Sequence, residues 1–466
     1  MHDGEETATA AANSTPSQTE PDATAPRPEI VMDAAATAVA GRPRRSTGQV
    51  LAGAGTAVLA SLVALALVAV AIRPAPAGAF RAHVPVAAPV VVAATTPYEQ
   101  AATALRLHAA GLVDGDEQGW MSAVDPGQPE LQKRYRAIFH ELRVLGVTSF
   151  EYRPGIPVPA KSDPAVLTFP TDAYYCFGQD TCRGDDVPAI EEKLTMKPVG
   201  GHYVISRAVV RSDRHVLGPT PWQDGRLEFA EGSRVILAAD PDEAKYLPTV
   251  LPIAEKAAAV DDKFATMLNA TQTRYRIYLA GEKEWHTWYG GDEDDWAIGL
   301  AVPIGKYGLD VIIRTEAIRD TRELQVTLHH ELGHVVTLTG ASSWDDSETW
   351  LAEGVAEYIG WSPLSATASF RRASVRWLLH GSHPPTSMIP KRPGRSASER
   401  EGDAFYGLSH FAVDCMAHKY GQQKMFNFVK QVLIYGETYD YGAKDAYGVP
   451  FAKVDGYCRT WIRHHA

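Results

Sequence analysis

The sequence predicts an α+β protein: a single N-terminal transmembrane helix, a small α+β domain, and a larger domain joining a mixed sheet to a helical C-terminal lobe. Three observations predict it. Residues 46–72 carry no charge, and their apolar part, 50–72, is long enough to cross a bilayer as a helix. Between Tyr98 and Arg211, helical periodicities are followed by short runs with the period of two that marks strands. From residue 226 onward, strand-like runs give way to long apolar-periodic segments with helix start and stop residues.

Residues 1–45 are rich in Ala, Thr, Pro and acidic residues and contain no Phe, Tyr or Trp, so they are read as a disordered cytoplasmic tail. Residues 46–72 are the expected transmembrane helix. Arg42, Arg44 and Arg45 precede it, against Arg73 and Arg81 after it. That excess predicts a single-pass cell-membrane protein with its N-terminus cytoplasmic and its domains outside. The alternative is a secreted protein released by cleavage near Ala79, at Ala77-Gly78-Ala79. Residues 73–97, rich in Pro, Ala and Val, are a semi-extended linker.

In the small domain, 98–212, helices are expected at 101–113 and 131–145, and strands at 148–153, 165–169, 191–198 and 202–210. Helices followed by a curved antiparallel sheet resemble the cone-shaped nuclear transport factor 2-like domains. That resemblance implies a spacer or a binding module. Gly218-Pro219-Thr220-Pro221 marks a linker over 213–225. In the large domain, 226–466, strands are expected at 234–239, 275–280, 297–303 and 309–314. Helices are expected at 242–268, 367–379, 402–420, 422–435 and 451–464. The acidic run 291–295 reads as a solvated turn.

A net charge of −11 without an extended basic run argues against nucleic acid as a partner. The four cysteines, Cys176, Cys182, Cys415 and Cys458, fall two and two into the folded domains. Three pairings, and a reduced state, are open to them. The distribution favours Cys176–Cys182 and Cys415–Cys458 in an oxidising compartment.

The stretch richest in chemistry is His330-Glu331-Leu332-Gly333-His334. On a helix, positions i and i+4 share a face, so two imidazoles can meet one metal ion, with Glu331 beside them as a general base. Arg319-Asp320-Thr321 offers caps, Leu324, Leu328, Leu332 and Val335 an apolar stripe, and Gly340 a stop. After His334, eighteen residues intervene before Glu353, in the helical run Trp350-Leu351-Ala352-Glu353-Gly354. Two imidazoles and a carboxylate are a catalytic zinc set that leaves one position open.

This spacing and the Trp-Leu-x-Glu-Gly segment resemble the gluzincin metallopeptidases, nearest the aminopeptidase-N-like branch, with thermolysin-like enzymes more distant. The resemblance implies one zinc per chain on His330, His334 and Glu353, Glu331 as general base, and a peptide or protein substrate added along a strand that lines the cleft. It further implies that Glu357 orients a ligand histidine. Tyr406, at the start of a helix ending near Gly421, is implied as the oxyanion stabiliser, and His410, one turn on, can share that task. No Gly-Ala-Met-Glu-Asn-type segment precedes the motif, so an endopeptidase is expected rather than an aminopeptidase. The alternative is a non-catalytic zinc-containing sensor or scaffold that binds through the middle domain.

Overall fold

A computed structural model of the chain describes residues 96–178, 182, 187–211, 218–291, 298–341, 347–394 and 397–466. The expected tail, transmembrane segment and most of the first linker lie outside these residues, as do 292–295 of the acidic run.

The first region opens with helices α1 (Pro97–Asp114), α2 (Glu117–Ser122) and α3 (Pro129–Val144). The first helix starts earlier than periodicity suggested, because Thr96 and Glu99 cap each other reciprocally: the Thr96 N–H donates to the Glu99 carboxylate at 2.7 Å and the Glu99 N–H to the Thr96 hydroxyl at 3.2 Å. Then come β1 (Val147–Pro154), β2 (Val158–Pro159), β3 (Leu167–Phe177), β4 (Ala189–Val199) and β5 (His202–Val210). They form an antiparallel sheet in the order β1-β3-β4-β5, with β2 also on β3. Alternate residues, such as Phe169 and Ala173 of β3 and Ile190 and Leu194 of β4, are buried.

The second region holds β6 (Glu228–Glu231), β7 (Val235–Ala239), α4 (Leu247–Leu268), β8 (Tyr275–Ala280), α5 (Glu282–Trp285), β9 (Gly299–Pro303) and β10 (Leu309–Arg314). Its helical lobe follows: α6 (Thr321–Leu338), α7 (Thr349–Gly360), α8 (Arg372–Leu379), α9 (Glu399–Tyr420), α10 (Gln422–Val429), α11 (Tyr439–Tyr447) and α12 (Phe451–His465). The sheet order is β6-β7-β8-β10-β9. The three central strands are mutually parallel and the two outer ones antiparallel to their neighbours.

Strands β7, β8 and β10 are buried along their whole length, which requires cover on both faces. Val235, Leu237, Ile277, Leu279, Val311 and Ile313 share a core with the helices. The alternate residues Ile236, Ala238, Tyr278, Ala280 and Ile312 share a core with Tyr175, Phe177 and Trp222 from the other side. The first region is therefore packed onto the second sheet. Where the sequence marks a linker, the described part is a packed junction. Trp222 and Gln223 are buried, and the Arg134 guanidinium donates to the Gln223 carbonyl at 2.8 and 3.0 Å.

The expected fold class needs one correction. It included a transmembrane helix, but among the described residues no helix is long and apolar enough to cross a membrane. The described protein is α+β, built on two sheets. The physical reason lies in the charges that the longest helices carry. α9, for example, carries Glu399, Arg400, Glu401, Asp403, Asp414 and Lys419, and such charges are costly in a bilayer. Helix α11 was not anticipated, and the expected helix over 422–435 passes from α10 into a π-helical turn at Lys430–Ile434.

Both cysteine pairs are formed: Cys176–Cys182, with Cα atoms 5.6 Å apart, and Cys415–Cys458, with Cα atoms 5.7 Å apart, which ties α9 to α12.

Candidate metal centre

Helix α6 carries the first two candidate ligands. Its N-cap is Asp320, whose carboxylate accepts the Arg322 and Glu323 N–H groups at 2.9 and 3.2 Å. The apolar stripe turns His330, Glu331 and His334 inward, all nearly inaccessible. Helix α7 crosses against both α6 and α9 and brings Glu353 to the same point. Gly354 makes the α7–α9 crossing possible, because a Cβ there would stand 2.5 Å from the Ser409 carbonyl oxygen of α9.

The donor atoms of His330, His334 and Glu353 lie within 4.8 Å of one another. Glu353 Oε2 is 3.2 Å from His330 Nε2 and 3.4 Å from His334 Nε2. Neither oxygen of Glu353 and neither nitrogen of His334 has a hydrogen-bond partner, although all are buried. Polar atoms left unsatisfied in the interior are costly. A cation held by these three residues would satisfy them, and two nitrogens with one carboxylate oxygen suit zinc. The residues present therefore fit a metal ion.

The electrostatics of the site follow from that crowding. Burial disfavours a charged His330, but the facing carboxylates of Glu353 and Glu357 override it and raise the imidazole to about 10. Burial also opposes ionisation of Glu353, yet the charges of His334 and His330 hold it at about 2. Burial lifts Glu331 to about 7, against the opposing pull of His330 and His334. Its carboxylate oxygens have no hydrogen-bond partner. It sits against β9 so closely that a Cβ on Gly299 would be 2.6 Å from Glu331 Oε1.

Glu357, one turn beyond Glu353, meets the other nitrogen of the first ligand: its Oε1 is 3.3 Å from His330 Nδ1. Burial would raise its carboxyl, but Arg371 and His330 hold it at about 2. The Tyr406 ring packs edge-on to His330, with centroids 6.2 Å apart. His410 is fully buried, and its Nδ1 lies 3.9 Å from Glu357 Oε2. The structure thus brings His330, Glu331, His334, Glu353, Glu357, Tyr406 and His410 together; the cysteine pairs serve the scaffold.

Four participants escaped the sequence reading: Arg371, Asp403, His329 and Asp261. Arg371 has no exposed surface and reaches both Glu357 and Asp403. Neither Arg371 nor Asp403 sits at a motif spacing, so no local signal pointed to them. His329 pairs through Nδ1 with Asp261 of α4 at 3.2 Å. Burial raises Asp261 to about 6, and the pair pins the back of α6 to α4.

No family model matches this chain, and no curated protein matches it.

Proposed function

We propose that this protein is a zinc-dependent peptidase, with His330, His334 and Glu353 as metal ligands and Glu331 as general base. The observation that carries the reading is the convergence of three buried ligand residues, two of which, His334 and Glu353, have no hydrogen-bond partner, with an unpartnered carboxylate beside them. When bound, zinc would supply Lewis acidity, easing deprotonation of a water and polarising a carbonyl.

The chain's own residues do the rest. Glu331, close to neutrality through burial, takes the proton of the attacking water and returns it to the leaving amine. Glu357 faces His330 Nδ1 at 3.3 Å and so keeps Nε2 turned toward the site. The Tyr406 phenol is assigned to the oxygen that gains charge as the carbonyl is attacked.

A peptide substrate is supported by β9. It pairs with β10 on one side, and no strand covers its other edge among the described residues. An extended peptide can use that edge as a strand template. The paired cysteines support work in an oxidising compartment.

The test is metal content and cleavage of a diverse peptide library with a chelator control. Zinc near one per chain is expected, with Glu331→Gln keeping the zinc and losing cleavage. Wild-type and Glu331→Gln protein behaving alike across the library would sink the enzymatic reading. A cobalt-substituted site without exchangeable water would point instead to a non-catalytic zinc scaffold.

A further inference from the structure

The buried group behind the metal ligands contains one full charge that the chemistry above does not use. Arg371 precedes α8, and none of its surface is exposed. Its Nε lies 3.5 Å from Glu357 Oε1, the oxygen that also faces His330 Nδ1 at 3.3 Å. Its Nη1 donates to Asp403 of α9. Its guanidinium carbon stands 4.8 Å from the centroid of the Tyr406 ring and 5.0 Å from that of Phe370. A single guanidinium thus touches the partner of one ligand and the face of the residue assigned to the oxyanion.

A charge buried this completely is strongly disfavoured unless it is paired, and Glu357, equally buried, is disfavoured alone in the same way. Glu357 and Asp403 compensate Arg371, and Arg371 in turn keeps Glu357 ionised and in place. The planar fork matters: Nε serves Glu357 while Nη1 serves Asp403, a division that a lysine ammonium cannot reproduce. Remove the guanidinium and Glu357 loses its anchor. His330 then loses the acceptor that fixes its ring orientation, and Tyr406 loses the plane against which it stacks.

We infer that Arg371 is the positioning residue of the metal centre, holding His330 through Glu357 and Tyr406 through stacking. This inference rests on the zinc reading above.

Zinc affinity of the purified full chain, measured by competition with a chelating dye, provides the test, read beside the absorption spectrum of the cobalt-substituted protein. Arg371→Gln and Glu357→Gln should each weaken zinc binding by about 10- to 100-fold, the usual effect of losing a group that orients a ligand. Both should alter the cobalt spectrum in the same way. Arg371→Lys should recover part of the loss. Because Arg371 acts through Glu357, the Arg371→Gln/Glu357→Gln double variant should bind zinc no more weakly than either single variant. The double variant also removes the buried ion pair as a unit. If Arg371→Gln alone does not fold, its comparison with Glu357→Gln still decides: equal affinities support the inference, and a further tenfold loss overturns it. A folded Arg371→Gln protein with wild-type zinc affinity and cobalt spectrum overturns it too. Wild-type protein that takes up no zinc fails differently, removing the metal reading and this inference together.

Discussion

Replacing Gly354 by alanine tests the crossing that carries Glu353 into the centre. A Cβ at this position would lie 2.5 Å from the Ser409 carbonyl oxygen and 2.8 Å from its carbon, where ordinary contact begins at 3.4 Å. The shortfall is about 0.9 Å, and it is against backbone of α9, which cannot swing aside as a side chain can. Helices α7 and α9 must therefore separate by nearly an ångström. Overpacking of this kind costs about 1–3 kcal/mol, while alanine returns roughly 1 kcal/mol of helix propensity. The net expectation is a loss of up to about 2 kcal/mol. Gly456, in α12, is the internal control: a Cβ there meets nothing within 4 Å, so Gly456→Ala should gain about 1 kcal/mol from propensity alone. Differential scanning calorimetry of the two variants should show melting shifts of opposite sign, each a few degrees. Zinc affinity should fall only in Gly354→Ala, because Glu353 moves with its helix. If both variants are stabilised alike, the close α7–α9 crossing is not a constraint and the argument for Gly354 is wrong.

Other expectations follow from the same contacts. Gly299→Ala would drive a Cβ to 2.6 Å from Glu331 Oε1 and 2.7 Å from Thr327 Cγ2; on the peptidase reading it should lower kcat while zinc content stays at the wild-type level, and unchanged kcat would remove β9 as a wall of the Glu331 site. Burial lifts Glu141, whose Oε1 accepts the Leu227 N–H at 2.9 Å, to about 8 from an ordinary 4.5. The folded state then keeps a proton that the unfolded chain has released, so this group's contribution falls as pH rises from about 4.5 to about 8, by at most about 1.4 kcal/mol per unit. Glu141→Gln should therefore gain on wild type between about pH 5 and about pH 8 in urea unfolding, and parallel pH profiles would contradict the assignment. The disulfide spanning 43 residues, Cys415–Cys458, should be worth about 4 kcal/mol on chain-entropy grounds, against about 2 kcal/mol for the one spanning 6, Cys176–Cys182. Thermal unfolding of the two double-alanine variants checks that order, and equal losses would count against it.

Much of the centre was legible because its parts are local. His330, Glu331 and His334 lie within one helical turn and a half, and the helix geometry that makes them convergent is a property of any such segment. Glu353 and Glu357 repeat the same logic on the next helix. Both cysteine pairs were legible from their two-and-two distribution. The two-residue strand β2, the early start of α1 and the helix α11 were less visible, since short or weakly patterned segments are decided by their neighbours. The expected transmembrane helix, 46–72, lies outside the described residues, among which no helix is long and apolar enough to cross a membrane.

What the sequence determined by itself was periodic or adjacent: which segments are helices or strands, which face of α6 turns inward, and which residue types could meet a metal. Only the tertiary structure decided what lies behind those residues. It brought Arg371 onto Glu357 and Asp403, laid Gly299 of β9 against Glu331, and packed the first region onto the far face of the second sheet, so that the described part of the marked linker became a buried junction. The reason is physical. Hydrogen-bond geometry along the backbone is read out over a few residues, whereas the pairing of a buried charge is settled by whichever distant group the packed chain delivers to it.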